Sequence, residues 1–514
     1  MSPSRMPGSV NERRKVDGVY RWAVLCTVSF AILLRLCTGT HSYSGMNTPP
    51  TFGDYEAQRH WMEITTNLPP NEWYKNGPTN NLSYWGLDYP PLSGYQSWLC
   101  GKFIEYFEPK AVALKTSLGY ETASSKLLMR STVLISDLLV YFPACLVCAA
   151  ALYKNPGQKL GCTIAMMLNP ALIIIDHGHF QYNSISLGCA VASVSSILAG
   201  HPFLGSFLFC ASLSHKQMSL YLAPAFFAHL LGECLQRKGW RRKLGLLALL
   251  GITVLSSFVI MWAPFLTSSN SILAVLTRVF PTQRGLFEDY VANFWCVSSL
   301  VIKWKRLVQP QVLFRLCTGA TLVAFLPSMV AEIANPSPTG FLLCLANTAM
   351  AFFMFSFQVH EKSILLPLLP LTMLTSLSSF SLNGGGDGVL GPALMHSVML
   401  SIYPLLEKDG LQDAYVGLLI IHLGLVCLLW SDQEPSTAKR NLTKRTTYTN
   451  KLRSPWSHSP LLSLAIITAI HGIRVTIPPP SRYPFLWDAL MVSWAFLNFI
   501  EVFVHLYRTQ LQRK

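Results

Sequence analysis

Charge is scarce in this chain. Asp, Glu, Lys and Arg make up 13% of 514 residues against 51% hydrophobic, and mean hydropathy is +0.36. A soluble domain carries roughly 25% charged residues, so an ordinary globular enzyme is excluded. Acids are scarcest, 25 against 40 Lys and Arg, for a net +15. That surplus does not imply nucleic acid, because the basic residues fall on loops between apolar runs and not on one domain face. Walker A and G-x-G-x-x-G sequences are missing, so neither an ATP-driven pump nor a dinucleotide enzyme is indicated. Also missing is the D-x-D with which nucleotide-sugar glycosyltransferases hold a metal and a diphosphate; the nearest approach is Asp54-x-Glu56. No repeat with paired broken helices is visible, which weighs against a secondary transporter. The thirteen cysteines are an odd number, and Cys145-x-x-Cys148 lies in an apolar run, so they read as packing residues.

What is abundant is apolar run length. About twenty apolar residues cross roughly 30 Å of hydrocarbon, and lipid forces each crossing to be a helix. Candidate spans centre on 22–38, 128–151, 160–176, 184–200, 203–214, 216–232, 244–266, 311–331, 341–357, 363–380, 389–405, 413–430, 460–476 and 485–506. The expected fold is an all-α polytopic membrane protein of about fourteen transmembrane helices with a long first lumenal loop. Span one carries Arg35 and lacks a clear cleavage site, so it reads as an uncleaved signal anchor.

Basic residues orient the chain. Arg13 to Lys15, Arg237 to Lys243, Lys439 to Arg453 and Arg508 to Lys514 all belong on the cytosolic side by the positive-inside rule, and an even span count satisfies them together. This gives a cytosolic tail 1–21, a first span 22–39, a lumenal loop 40–127, spans two to seven in 128–266, a lumenal loop 267–310, spans eight to fourteen in 311–507 with a cytosolic loop 431–459, and a cytosolic tail 508–514. The apolar stretch 291–302 is too short to cross and reads as re-entrant or interfacial. Of the two sequons, Asn81-Leu82-Ser83 falls outside the cytosol and Asn441-Leu442-Thr443 inside it.

That topology gathers the polar clusters on one non-cytosolic face: the 40–127 loop, His177 to Asn183, His215 to Gln217, Arg278, Arg284, Glu288 and Asp289, and His360 to Lys362. Ionisable residues at the ends of apolar helices are expensive and usually functional. Each also has a plainer reading. Asp54 fits an N-cap, with Glu56 and His60 as an i,i+4 pair. His177 and His179 fit buried interface histidines or a metal half-site without a third ligand. Asp88 to Pro91 fits an extended turn, the loop tryptophans an interfacial belt, and Lys216 and Lys362 snorkelling cations.

Taken in order, the strings Gly53-Asp54-Tyr55-Glu56-Ala57-Gln58-Arg59-His60-Trp61, Trp85-Gly86-Leu87-Asp88-Tyr89-Pro90-Pro91-Leu92, His179-Phe180-Gln181-Tyr182-Asn183, Arg284-Gly285-Leu286-Phe287-Glu288-Asp289 and Phe357 to Leu365 closely resemble the endoplasmic-reticulum dolichyl-phosphate-glucose glucosyltransferases. The first two strings are similar to the branch that adds the first glucose to a nine-mannose lipid-linked oligosaccharide; the second-glucose branch is the alternative, and a lipid-linked sugar flippase is the alternative of another class. The resemblance implies a GT-C fold in the endoplasmic-reticulum membrane, lumenal chemistry, dolichyl phosphate glucose as donor and a dolichyl-diphosphate oligosaccharide as acceptor, with no metal or other cofactor. It implies Asp54 as general base. His360, Lys362, Arg284 and Lys216 are the cations for the donor phosphate, and Glu56, Arg59, Trp61, Asp88, Tyr89, His179, Gln181, Tyr182 and Glu361 the candidates for the sugar or acceptor pocket.

Overall fold

The computed structural model describes residues 10–280, 286, 289–374, 390–431 and 460–512, and among these the regular structure is helical. Among the described residues each expected span falls on a helix, although 375–380 of the span 363–380 lie outside them. Eight are long and apolar enough to cross a membrane: Asp17–Gly39, Ala123–Leu152, Pro156–Phe180, Gln217–Gln236, Trp240–Phe265, Pro310–Ala334, Pro338–Phe355 and Leu486–Leu511. The other six fall on further helices, of which Asn183–Leu198 and Pro202–His215 are shorter, with 16 and 14 residues. Pro338–Phe355 is buried almost throughout, whereas Trp240–Trp262 buries three residues, so protein covers the first and lipid the second. The stretch 291–302 holds the short helix Phe294–Ser298, with Trp304–Leu307 after it, each shorter than the roughly 20 residues a crossing needs.

Two spans carry π-helical turns, Asp137–Tyr141 and Ile174–Phe180, and a buried ion cluster joins them. Arg35 of the first span, 1% exposed, holds Asp137 through Nε, and His177 Nε2 lies 3.0 Å from the same Asp137 oxygen. Pairing is what lets these charges reside in the helix bundle. The π turns re-aim the residues that follow, and in the second those are the polar residues 179–183.

The long loop is itself folded. Asp54–Asn67 packs along Pro91–Phe107, closely enough that a Cβ on Gly101 would stand 2.2 Å from Thr66 Oγ1. Beneath them Arg59, 1% exposed, bonds Glu56 at 2.6 Å through each of Nε and Nη2, Glu63 at 2.9 Å, and Ser117 Oγ and the Ala111 carbonyl at 2.6 and 3.0 Å. His60 Nδ1 faces Glu63 at 3.2 Å, so the expected Glu56–His60 pair is replaced by Glu56–Arg59 and His60–Glu63. Spacing permits both arrangements; burial of the guanidinium between two acids selects this one. Glu56 and Arg59 are therefore the polar core of the loop and not walls of a sugar pocket.

Candidate active site

Asp54 begins its helix without capping it. The cap position is Gly53, with no side-chain cap bond. A Cβ there would come within 2.6 Å of the Ser44 carbonyl carbon, so the close approach of the two strands of chain requires glycine. Ser44 fixes the approach, accepting from Asp54 N at 3.3 Å through Oγ and donating its own N–H to the His179 carbonyl at 3.1 Å. Freed from capping, the Asp54 carboxylate meets residues from three distant parts of the chain.

All of its partners converge on one oxygen. Asp54 Oδ2 lies 2.9 Å from His179 Nε2, 2.5 Å from Gln181 Nε2 and 2.5 Å from Lys362 Nζ. Oδ1 has no hydrogen-bond partner among the described residues, and the side chain is 23% exposed where it lines a cleft. Burial alone would push this carboxyl up, but Lys362 and His179 beside it outweigh burial and hold it well below the usual carboxylate range. Burial likewise favours neutral Lys362, yet Asp54 and Glu361 keep its ammonium above the ordinary lysine range. Phe180, between His179 and Gln181, adopts φ +90° and is fully buried, its ring 4.8 Å from Tyr55 and 5.7 Å from Tyr182. A left-handed phenylalanine is strained, and here the strain turns both flanking side chains toward Asp54.

The second motif forms the opposite wall, and side chains capture its five successive carbonyls. Trp61 Nε1 donates to Trp85 O at 2.8 Å, Arg278 to Gly86 O and Leu87 O at 2.6 and 3.3 Å, Gln217 to Asp88 O at 3.1 Å and Tyr74 to Tyr89 O at 2.7 Å. The backbone so fixed presents Asp88 and Tyr89 to the cleft, with Trp61 packed edge-on against Tyr89 at 5.0 Å. Lys216 sits 4.7 Å over the Tyr89 ring and donates to Gln181 Oε1 at 3.2 Å and Asn183 Oδ1 at 2.6 Å. It thereby sets the amide orientation with which Gln181 reaches Asp54. His360 lines the cleft, its Nδ1 2.8 Å from buried Glu361, whose charge His360 and Lys362 favour over the cost of burial.

The cleft has a volume of about 1800 Å³ and two characters. Around Asp54, Asp88, Lys216, His360 and Lys362 it is polar; beyond them it is mainly apolar along Phe314, Leu322 and Phe325 of Pro310–Ala334 and Phe352 of the next helix, with Gln311, Arg315 and Thr318 of the same Pro310–Ala334 helix also lining it. From Phe314 to Phe325 the groove follows roughly 17 Å of helix.

Asp54, Trp61, Asp88, Tyr89, His179, Gln181, Lys216, His360, Glu361 and Lys362 thus come together. Tyr182 does not reach the cleft: buried, it bonds Thr132 Oγ1 at 2.7 Å and packs beneath the site. Arg284 and Glu288 lie outside the described residues. Asn81 is exposed on the loop. His177 and His179, read as a possible metal half-site, instead engage Asp137 and Asp409 respectively. Asp409 is the residue sequence reasoning missed. It follows the span 389–405 in Glu407-Lys408-Asp409-Gly410, and the same span count that gathered the other clusters places it on their face. No string around it drew attention.

A carboxylate with one oxygen held and one open, ringed by cations and continuous with an apolar groove, suits proton abstraction from a hydroxyl beside the head group of a lipid. The comparisons agree with that chemistry. Residues 22–505 match the model of the ALG6, ALG8 glycosyltransferase family. A probable dolichyl pyrophosphate Man9GlcNAc2 alpha-1,3-glucosyltransferase of Arabidopsis thaliana is 44% identical over 486 residues, covering 93% of this chain and 87% of its own. The similarly named proteins of Gallus gallus and Saccharomyces cerevisiae are 40% and 37% identical, over 94% and 91% of this chain and 96% and 88% of theirs. The chain belongs to the ALG6, ALG8 glycosyltransferase family.

Proposed function

We propose that this protein transfers glucose from dolichyl phosphate glucose to Man9GlcNAc2 carried on dolichyl diphosphate, forming an alpha-1,3 linkage at the lumenal face of the endoplasmic-reticulum membrane. The observation that carries the reading is the single cleft that joins the open oxygen of Asp54 to an apolar groove. A hydrocarbon-linked donor needs both ends of such a cleft. The acceptor is supported by the name its relatives share, and the lumenal orientation by the distribution of basic loops.

A beta-linked donor and an alpha-linked product require one inversion, hence one in-line displacement and one base. Asp54 Oδ1 takes the proton of the mannose 3-hydroxyl while that oxygen bonds the glucose C1, and the C1–O bond to phosphate breaks with its electron pair on the phosphate. The leaving group departs as an anion and gains from groups already in place, the Lys362 ammonium and the His360 ring. Trp61, Asp88 and Tyr89 shape the polar end where sugars sit, and Lys216 acts through Gln181. The leaving group is dolichyl phosphate itself, a phosphate monoester and not a nucleotide diphosphate, so the scheme calls for no metal clamp.

The test offers purified enzyme, with radiolabelled dolichyl phosphate glucose, the Man9GlcNAc2 and Glc1Man9GlcNAc2 lipid-linked acceptors separately. Glucose on the first alone is the expected result. Glucose on the second alone would transfer the reading to the second-glucose enzyme, and none on either would end it.

A further inference from the structure

Asp409 is absent from the cleft wall, yet it completes the charge balance of the site. His179 stands between two acids: Nε2 is 2.9 Å from Asp54 Oδ2, and Nδ1 is in hydrogen-bond contact with Asp409 Oδ2. Both His179 and Asp409 are buried, at 2% and 6% exposure. A neutral imidazole has one N–H, which would leave its other lone pair against a carboxylate; only an imidazolium donates to both acids. The 3.0 Å between Lys362 Nζ and His179 Nε2 is then the spacing of two donors sharing Asp54 Oδ2.

The position of Asp409 is fixed independently of His179. Gly410, at φ +69°, closes the helix with Gly410 N–H on Glu407 O at 3.1 Å and Leu411 N–H on Leu406 O at 2.9 Å. Ser42 Oγ donates to the Asp409 and Gly410 carbonyls, and Arg130 Nη2 ties Ser42 O and Gly178 O together at 3.0 and 2.7 Å. Of the neighbouring charges, Lys216 is engaged by Gln181 and Asn183, Asp176 by Asn183 and Ser184 N, Glu361 by His360, Lys408 by Asp289 and Glu407 by Arg474, while the Arg130 guanidinium also acts on Asp409. Asp409 is thus the acid that faces His179 from behind.

We propose that Asp409 is a positioning residue that holds His179 as an imidazolium on Asp54, so that Lys362 is the cation handed to the leaving phosphate when Asp54 takes its proton. The inference rests on Asp54 being the base. Before reaction two acids and two cations cancel. Once Oδ1 accepts the hydroxyl proton, Asp54 is neutral while Asp409 still balances His179, so Lys362, which lines the cleft, loses one of the two acids that face it and keeps only Glu361. Its charge becomes available as the C1–O electron pair moves onto phosphate. Preorganised charge of this kind acts mainly in the transition state, on turnover and not on ground-state binding.

The experiment measures kcat and KM from pH 9 down to the lowest pH at which the parent keeps its fold, so that the acid limb of the depressed Asp54 carboxyl is reached, for the parent, Asp409→Asn, Asp409→Glu, His179→Gln and Asp54→Asn, each purified in detergent and checked by melting temperature. Without Asp409 the imidazole becomes neutral and Asp54 loses a charged donor, so its carboxyl rises and the acid limb of kcat moves to higher pH. Asp409→Asn is expected to lower kcat on the order of 10- to 100-fold, as other outer partners of a histidine do, with KM for donor and acceptor within about twofold. Asp409→Glu should restore the limb. His179→Gln, which keeps a neutral donor without the charge, should shift it as Asp409→Asn does and serves if Asp409→Asn does not fold. An unshifted acid limb in Asp409→Asn or His179→Gln overturns the proposal, whatever the size of the rate loss. If Asp54→Asn retains turnover, the base assignment itself falls; if Asp54→Asn is inactive and the other two keep the parent profile, only the role of Asp409 falls.

Discussion

Arg59→Met separates a scaffold from a sugar pocket. In the fold the guanidinium makes five hydrogen bonds to Glu56, Glu63, Ser117 and Ala111 from a site with 1% of the residue exposed. Methionine keeps most of the stem volume and removes the charge, leaving two buried carboxylates facing one another. Breaking a buried pair in this way costs about 3–5 kcal/mol, whereas replacing all members with neutral groups costs far less. Arg59→Met should therefore be destabilised by that amount in detergent, and Arg59→Met/Glu56→Gln/Glu63→Gln should recover much of it. The pH dependence has a definite sign. Burial pushes the Glu63 carboxyl up, but His60 and Arg59 outweigh it and hold it at about 2. A depressed carboxyl contributes stability above its unfolded value of about 4.3, and that contribution is lost as pH falls toward 2. The gap between parent and Arg59→Met should accordingly be widest near neutrality and narrow in acid. Thermal unfolding followed by tryptophan fluorescence reads both, and donor and acceptor KM of the folded variant should match the parent. A fully stable Arg59→Met enzyme with a raised sugar KM would refute the reasoning and return Arg59 to the pocket.

Lys362→Ala should lower kcat by about 100-fold or more with little change in donor KM, because its charge meets the phosphate mainly in the transition state; unchanged kcat would remove it from the site. His360→Ala, partly exposed on the same wall, should show a smaller loss of the same kind. Asn81, exposed on the loop, should carry glycan in cells while Asn441, outside the described residues, should not; a glycan on Asn441 would invert the proposed orientation.

Hydropathy located the helices because lipid leaves the backbone no other solution, and the short apolar length of 291–302 set it apart from the spans. Residue spacing failed where two pairings are equally spaced. Glu56 reaches either Arg59 or His60, and the choice depends on Ser117 and Ala111, more than fifty residues away. The π turn at Ile174–Phe180 leaves no periodic mark in an apolar run, so span counting placed His179 and Gln181 on the same face as Asp54 but not their contact with it. Asp409 sits 230 residues from His179 in the chain. The rule that marked the other ionisable helix ends applied to it equally, but a lone acid in Lys-Asp-Gly carries no further signature. Arg35 was visible as a charge in span one, while its partner Asp137 lay within a run that read as apolar.

The central claim is that Asp54 is the general base. Asp54→Asn preserves size and the contacts that Oδ2 makes as an acceptor, and removes the basicity of the open oxygen. Loss of a positioned base typically costs about 100- to 10,000-fold in rate. Purified Asp54→Asn enzyme should fold, bind dolichyl phosphate glucose as the parent does and transfer almost no glucose to the Man9GlcNAc2 acceptor; transfer within a few-fold of the parent would contradict the account.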